Sequence, residues 1–296
     1  MATITAALVK ELREKTSAGM MDCKKALTEC DGDMNKAIDW LREKGIAKSA
    51  KKEGRIAAEG LTRVAAEGNT AVLFEVNSET DFVAKNEQFL KLLDNIQAAL
   101  LANKPADMDA ALAATCEEGS INDMVVNATA TIGEKISFRR FQIVEKADDE
   151  VFGTYMHGGG KISALVVLTG NATEISKNIA MQVASMKPLY VSQADVPASE
   201  LEHEREVQLN IMKADPKLAG KPEKVLEGIL AGKISKHFSE VSLMDQEYFL
   251  EAKTKVSTFL KQKNAGVRTF VRYEAGEGIE KRVDDFAAEV MAQIQG

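Results

Sequence analysis

Ala71-Val72-Leu73-Phe74-Glu75-Val76-Asn77-Ser78 decides the fold class. Val72, Phe74 and Val76 alternate with Leu73, Glu75 and Asn77, and a period of two belongs to a β-strand. Upstream, Glu67-Gly68-Asn69 supplies a turn after a similar run over 60–66, so the two runs form a β-hairpin. Downstream the period lengthens. Phe89, Leu92, Leu93, Ile96 and Leu100 fall on one face of a helix, a second helix follows over 121–132, and a strand over 136–144 closes the unit.

The same order recurs further along the chain. A strand over 152–157, the turn Gly158-Gly159-Gly160 and a strand over 162–168 precede a helix carrying Ile175, Ile179, Val183 and Met186. A later helix with Val256, Phe259 and Leu260 leads into a strand over 267–273. The closing strands are alike: Phe138-Arg139-Arg140-Phe141-Gln142-Ile143-Val144-Glu145 beside Val267-Arg268-Thr269-Phe270-Val271-Arg272-Tyr273-Glu274. An α+β fold with a duplicated core, two related halves with antiparallel sheets, is the expectation. The second half is interrupted after Pro188. Two charged helices there, one with Leu201, Val207, Leu209, Ile211 and Met212 and one with Val225, Leu226, Ile229, Leu230, Ile234 and Phe238, flank Asp215-Pro216 and Gly220-Lys221-Pro222, which fits an antiparallel helical hairpin.

At the N-terminus three short apolar stripes stand in succession: Ile4, Leu8 and Leu12; Met20, Cys23 and Leu27; Met34, Ala37, Ile38 and Leu41. Asp33 is a candidate N-cap of the third helix and Gly45 its C-cap. This three-helix module resembles ubiquitin-associated-type bundles, which bind proteins. Lys44, Lys48, Lys51, Lys52 and Arg55 then make a basic linker, read as a solvated extension of the helix. The expected units are 1–55, a helical partner-docking module; 56–147, the first half of the core; 148–189 with 239–274, the second half; 190–238, the hairpin; and 275–296, a C-terminal module with an amphipathic helix over 286–294.

The bulk composition narrows the function. At 296 residues and 45% apolar composition the chain can bury a sizeable core. A net charge of −7 argues against a phosphate backbone as main ligand. Cys23, Cys30 and Cys116 form no C-x-x-C pair and suit a reducing compartment, where they read as small core residues. No apolar run approaches the roughly 20 residues of a membrane span, so a cytoplasmic location is expected. Gly158-Gly159-Gly160-Lys161 lacks the spacing and the following helix of a phosphate loop. His157, His203 and His237 have no second ligand at metal-binding spacing, and no cofactor is implied.

Two long strings carry a resemblance. Leu12-Arg13-Glu14-Lys15-Thr16-Ser17-Ala18-Gly19-Met20-Met21-Asp22-Cys23-Lys24-Lys25-Ala26-Leu27 and Glu75-Val76-Asn77-Ser78-Glu79-Thr80-Asp81-Phe82-Val83-Ala84 are similar, in that order, to the two signatures of the elongation factor Ts family. Ser17 and Ser163 stand where that family usually has glycine. The resemblance implies a guanine nucleotide exchange factor without covalent chemistry of its own. It binds the GTPase elongation factor Tu, weakens its Mg²⁺ and GDP site, and lets GTP load during translation. It makes Thr80, Asp81, Phe82 and Val83 the exchange wedge. Arg13, Met20, Met21, Lys24 and His157 become docking contacts, with Asp284, Asp285 and Phe286 at the start of the terminal helix.

Read without the resemblance, the same residues have blander roles. Periodicity puts Phe82, seven residues before Phe89, on the buried stripe of the next helix, although Asn86 is a candidate N-cap between them. Met20 is a core or a contact methionine, and Met21, beside Lys24 and Lys25, suits an adaptable contact surface. His157 is an ordinary surface histidine or a satisfied one. The alternative function is a protein-binding adaptor using the ubiquitin-associated-like bundle, and dimerisation through the helical hairpin stays open.

Overall fold

The computed structural model describes residues 4–16, 18–218 and 220–280. The chain begins with three helices, α1 (Ala6–Thr16), α2 (Met20–Glu29) and α3 (Met34–Ala50). Val9, Leu12, Cys23, Ala26, Leu27 and Ala37 form their shared core. Asp33 caps α3 by accepting from Lys36 N at 3.1 Å. Gly45 does not end this helix, which runs on to Ala50. Its missing side chain serves packing instead, since a Cβ there would lie 3.4 Å from the Ala130 Cβ of a neighbouring helix.

The first half of the core follows: β1 (Glu59–Glu67), β2 (Thr70–Ser78), α4 (Glu87–Asn103), α5 (Met108–Ala113), the short strands β3 (Thr115–Cys116) and β4 (Gly119–Ser120), α6 (Ile121–Ile132) and β5 (Ser137–Glu145). The second half contains β6 (Val151–His157), β7 (Ile162–Gly170), α7 (Ser176–Met186), α8 (Ala198–Ala214), α9 (Glu223–Val241), α10 (Val256–Gln262) and β8 (Ala265–Glu274). The fold is α+β. Its two three-stranded antiparallel sheets have the orders β1-β2-β5 and β6-β7-β8.

Each sheet is covered on both faces, which is why β2 is buried throughout, its polar residues Thr70, Glu75, Asn77 and Ser78 included. Val72, Phe74 and Val76 pack under α4 and α6 with Phe89, Leu93, Ile96 and Met124. Ala71 and Leu73 point the other way, into Leu165, Val167 and Val271 of the second sheet. Ala164, Val166 and Leu168 in turn face α7 and α10. The layers therefore run helices, sheet, sheet, helices. Buried between the sheets, the Thr62 hydroxyl donates to Gly160 O at 2.9 Å and lies 2.7 Å from the Ser163 hydroxyl, and Thr62 N donates to Gly160 O at 2.7 Å. Gly160, at φ +105°, must be glycine on two counts: its backbone is left-handed, and a Cβ would stand 2.7 Å from Thr62 O.

The likeness of the closing strands extends to their irregularities. Glu75 pairs with Arg140 and Val76 with Phe138, leaving Arg139 as an extra residue on β5. Val167 pairs with Thr269 and Leu168 with Val267, leaving Arg268 extra at the same place on β8. A bulge puts two residues opposite one. In the first half this lets both Arg139 Nη1 and Arg140 Nε reach the fully buried Glu75. Asn77 Nδ2 and Gly276 N complete its shell at 2.9 and 2.7 Å.

Within the inserted pair, α8 and α9 bury Met212, Leu230 and Phe238. The two ends of the insertion meet at its root, where Tyr190 bridges Ser242 and Leu243 N donates to Tyr190 O at 2.9 Å. The terminal helix expected over 286–294 lies outside the described residues. The three cysteines divide: Cys23 is buried, while Cys30 and Cys116 are half-buried at the margins of their cores.

Candidate functional site

The segment Thr80-Asp81-Phe82-Val83 joins the end of β2 to a single 3-10 turn, Val83–Lys85, after which Asn86 starts α4 by accepting from Gln88 N at 2.8 Å. That turn breaks the helical phase. Val83 takes the core position, 5% exposed, and Phe82 is turned outward at 82% exposure. Periodicity alone put Phe82 on the buried stripe; the inserted turn, with a fresh N-cap behind it, is the physical reason it is not there.

Phe82 stands on a braced turn. On the strand side, Glu134 accepts from Thr80 N at 2.9 Å and from Thr80 Oγ1 at 2.6 Å. Ser78 Oγ donates to Thr80 O at 2.9 Å. The preceding residue is held as well, because Glu79 accepts from Lys135 N at 2.6 Å and pairs with Arg55 at 3.3 Å. Lys135 Nζ returns to the linker, donating to Glu53 O and Arg55 O. On the helix side the buried Val83 pins the chain. Asp81 and Phe82 are left between the two anchors, both exposed.

The other candidates fall on two places. Arg13 on α1 and Met20, Met21 and Lys24 on α2 are all exposed, Met20 at 56% and Met21 at 76%. Met20 is thus no core methionine, and only Cys23 and Leu27 of its stripe are buried. His157 ends β6, exposed, with Tyr155 Oη 3.3 Å from its Nδ1. The turn after it seats on the start of β1, where Lys161 Nζ lies 2.9 Å from Glu59 Oε2. Because Glu59 pairs with Ser78, that turn shares the end of the first sheet from which the Phe82 segment departs. Asp284, Asp285 and Phe286 lie outside the described residues.

The bracing residues Glu134 and Lys135 had no local signal in the sequence. They sit 54 and 56 positions from Thr80 and Glu79, beyond the reach of any local pattern. Among the described residues no cluster of His, Cys, Asp and Glu is arranged to hold a metal ion, and no helix is long and apolar enough to cross a membrane.

Fold and surface together define a class: an α+β protein with two three-stranded antiparallel sheets and a small helical module, which presents bare apolar side chains on that module and on one braced turn. A family model described as Elongation factor TS matches residues 79–277. Proteins named Elongation factor Ts from Lacticaseibacillus casei and Lacticaseibacillus paracasei are each 52% identical over 297 residues, covering 100% of this chain and 100% of theirs. The chain belongs to the elongation factor Ts family, whose place is translation elongation in protein biosynthesis.

Proposed function

We propose that this chain is a guanine nucleotide exchange factor for the GTPase elongation factor Tu, with Asp81 and Phe82 as the contacts that disturb the partner's Mg²⁺ and GDP site. Thr80 and Val83 frame them. Arg13, Met20, Met21 and Lys24 dock the N-terminal unit, and His157, Asp285 and Phe286 add contacts. The observation that carries this reading is the 82% exposure of Phe82 on a turn anchored at both ends.

A nanomolar GDP complex is held by about 12 kcal/mol. A factor with no covalent chemistry releases it by binding the empty or distorted GTPase more tightly than the GDP-loaded one, and nucleotide then weakens the factor's own binding by the same ratio. An exposed ring on a fixed mount suits this task. Burying it in a partner is worth about 2 kcal/mol, and the gain counts only in the state that opens a place for it. The bundle supplies affinity common to both states, and Phe82 supplies the difference.

Stopped-flow release of fluorescent GDP from elongation factor Tu tests the assignment. Phe82→Ala keeps binding to nucleotide-free partner but slows the maximal stimulated release by roughly thirtyfold, the rate equivalent of about 2 kcal/mol. An unchanged maximal rate overturns the role given to Phe82.

A further inference from the structure

We propose that Glu134 is the positioning residue of the Phe82 turn, and that it fastens this turn to the same helix, α6, on which the N-terminal bundle is mounted. The inference rests on the exchange reading of Phe82 and adds to it a residue and a mechanical path.

Three contacts seat the bundle on α6. Gly45 of α3 packs against Ala130. Arg42 Nη2 pairs with Asp123 Oδ1 at 2.9 Å. Lys52 Nζ, just past the end of α3, donates to Thr129 O at 3.2 Å. The helix then ends at Gly133, whose φ of +90° swings the chain round so that the next two residues turn back on the Phe82 segment. Glu134 accepts from both donors of Thr80, and Lys135 N donates to Glu79. The Lys135 side chain closes the circuit on the carbonyls of Glu53 and Arg55, which lead back to α3.

Within this clasp Glu134 has the decisive place. Thr80 immediately precedes Asp81-Phe82, and a carboxylate accepting from its N–H and its hydroxyl together fixes both position and rotation of the peptide. Without it, Ser78 still holds Thr80 O and Glu79 still meets Lys135 N, but the Thr80 N–H and hydroxyl turn to water, and the residue next to Asp81-Phe82 loses two of its three holds. The ring must then be ordered at the moment of contact, a cost that falls on the step where it is used. The docking residues on α1 and α2 keep their places.

Full-length Glu134→Ala and Glu134→Gln proteins test this; Glu134 is half-buried, so an unchanged circular-dichroism melting curve first checks that each variant folds. For Glu134→Ala the maximal rate of stimulated GDP release falls by about tenfold while the half-saturating concentration holds. Glu134→Gln, which keeps one acceptor oxygen, recovers part of the rate. A second readout needs no partner. With Trp40→Phe removing the single native tryptophan, Phe82→Trp places an indole on the turn. Its time-resolved anisotropy shows little fast motion in the parent and added nanosecond motion in Glu134→Ala. Unchanged anisotropy, or full exchange activity in Glu134→Ala where Phe82→Ala is slow, overturns the positioning role. Added motion together with full activity in Phe82→Ala upholds it and overturns the exchange reading instead.

Discussion

Phe82 and Val83 are neighbours with opposite environments, and mutation separates them. Val83 fills a place in the first core beside Phe89 and Leu93, so Val83→Ala costs about 1–2 kcal/mol of stability in urea unfolding. Phe82→Ala removes a ring that touches solvent and stays within about 0.5 kcal/mol of the parent. A large loss from Phe82→Ala would mean the ring is packed. At this scale the sequence was a poor guide. The stripe Phe89, Leu92, Leu93, Ile96, Leu100 is real, but extending it back to Phe82 assumes unbroken helical phase, and Asn86 resets that phase. Asn86 itself was readable as a cap, because capping chemistry is local. The grip of Glu134 on Thr80 was not, because it joins residues far apart in the chain.

Among elements, the strand pair β2–β5 shows how a departure from regular pairing is put to use. Its bulge brings two arginines to one buried carboxylate, and the Gly276 N–H on the same carboxylate ties the chain beyond β8 to the first sheet. Burial pushes the Glu75 carboxyl up, but the hydrogen bonds from Gly276 and Asn77 and the neighbouring Arg140 outweigh it, holding the group below the usual glutamate range. Because the folded value is depressed, its contribution is complete above the unfolded value of about pH 4.3 and is lost as pH falls through the folded one. Glu75→Gln therefore destabilises the protein by about 3 kcal/mol near neutrality and flattens the acid limb of a stability–pH curve. An acid limb identical to the parent's would remove Glu75 from this account. The strands themselves were legible from period and turn residues, and so was the likeness of the two closing strands. The extent of α3 was not: glycine reads as a stop signal, whereas Gly45 is there to let α3 approach α6. The short α5, β3 and β4 hold too few residues for periodicity to register.

For the molecule as a whole, the inserted hairpin and the doubled core differ in how they are held. The hairpin buries few side chains of its own, and its two ends already meet through Tyr190 and Ser242. Replacing 201–235 by a short Gly-Ser turn thus leaves the core's melting temperature within about 4 °C of the parent's, measured by circular dichroism. A collapse of the melting transition would show that the hairpin supports the core. The sheets are the opposite case. With Leu73 and Leu165 interleaved between them and the Thr62 hydroxyl spanning the gap, neither sheet has an inner face it can show to water. Peeling one half away strips the other of its cover, so a half-open core has no resting state, and a protease meets the two halves closed together or undone together.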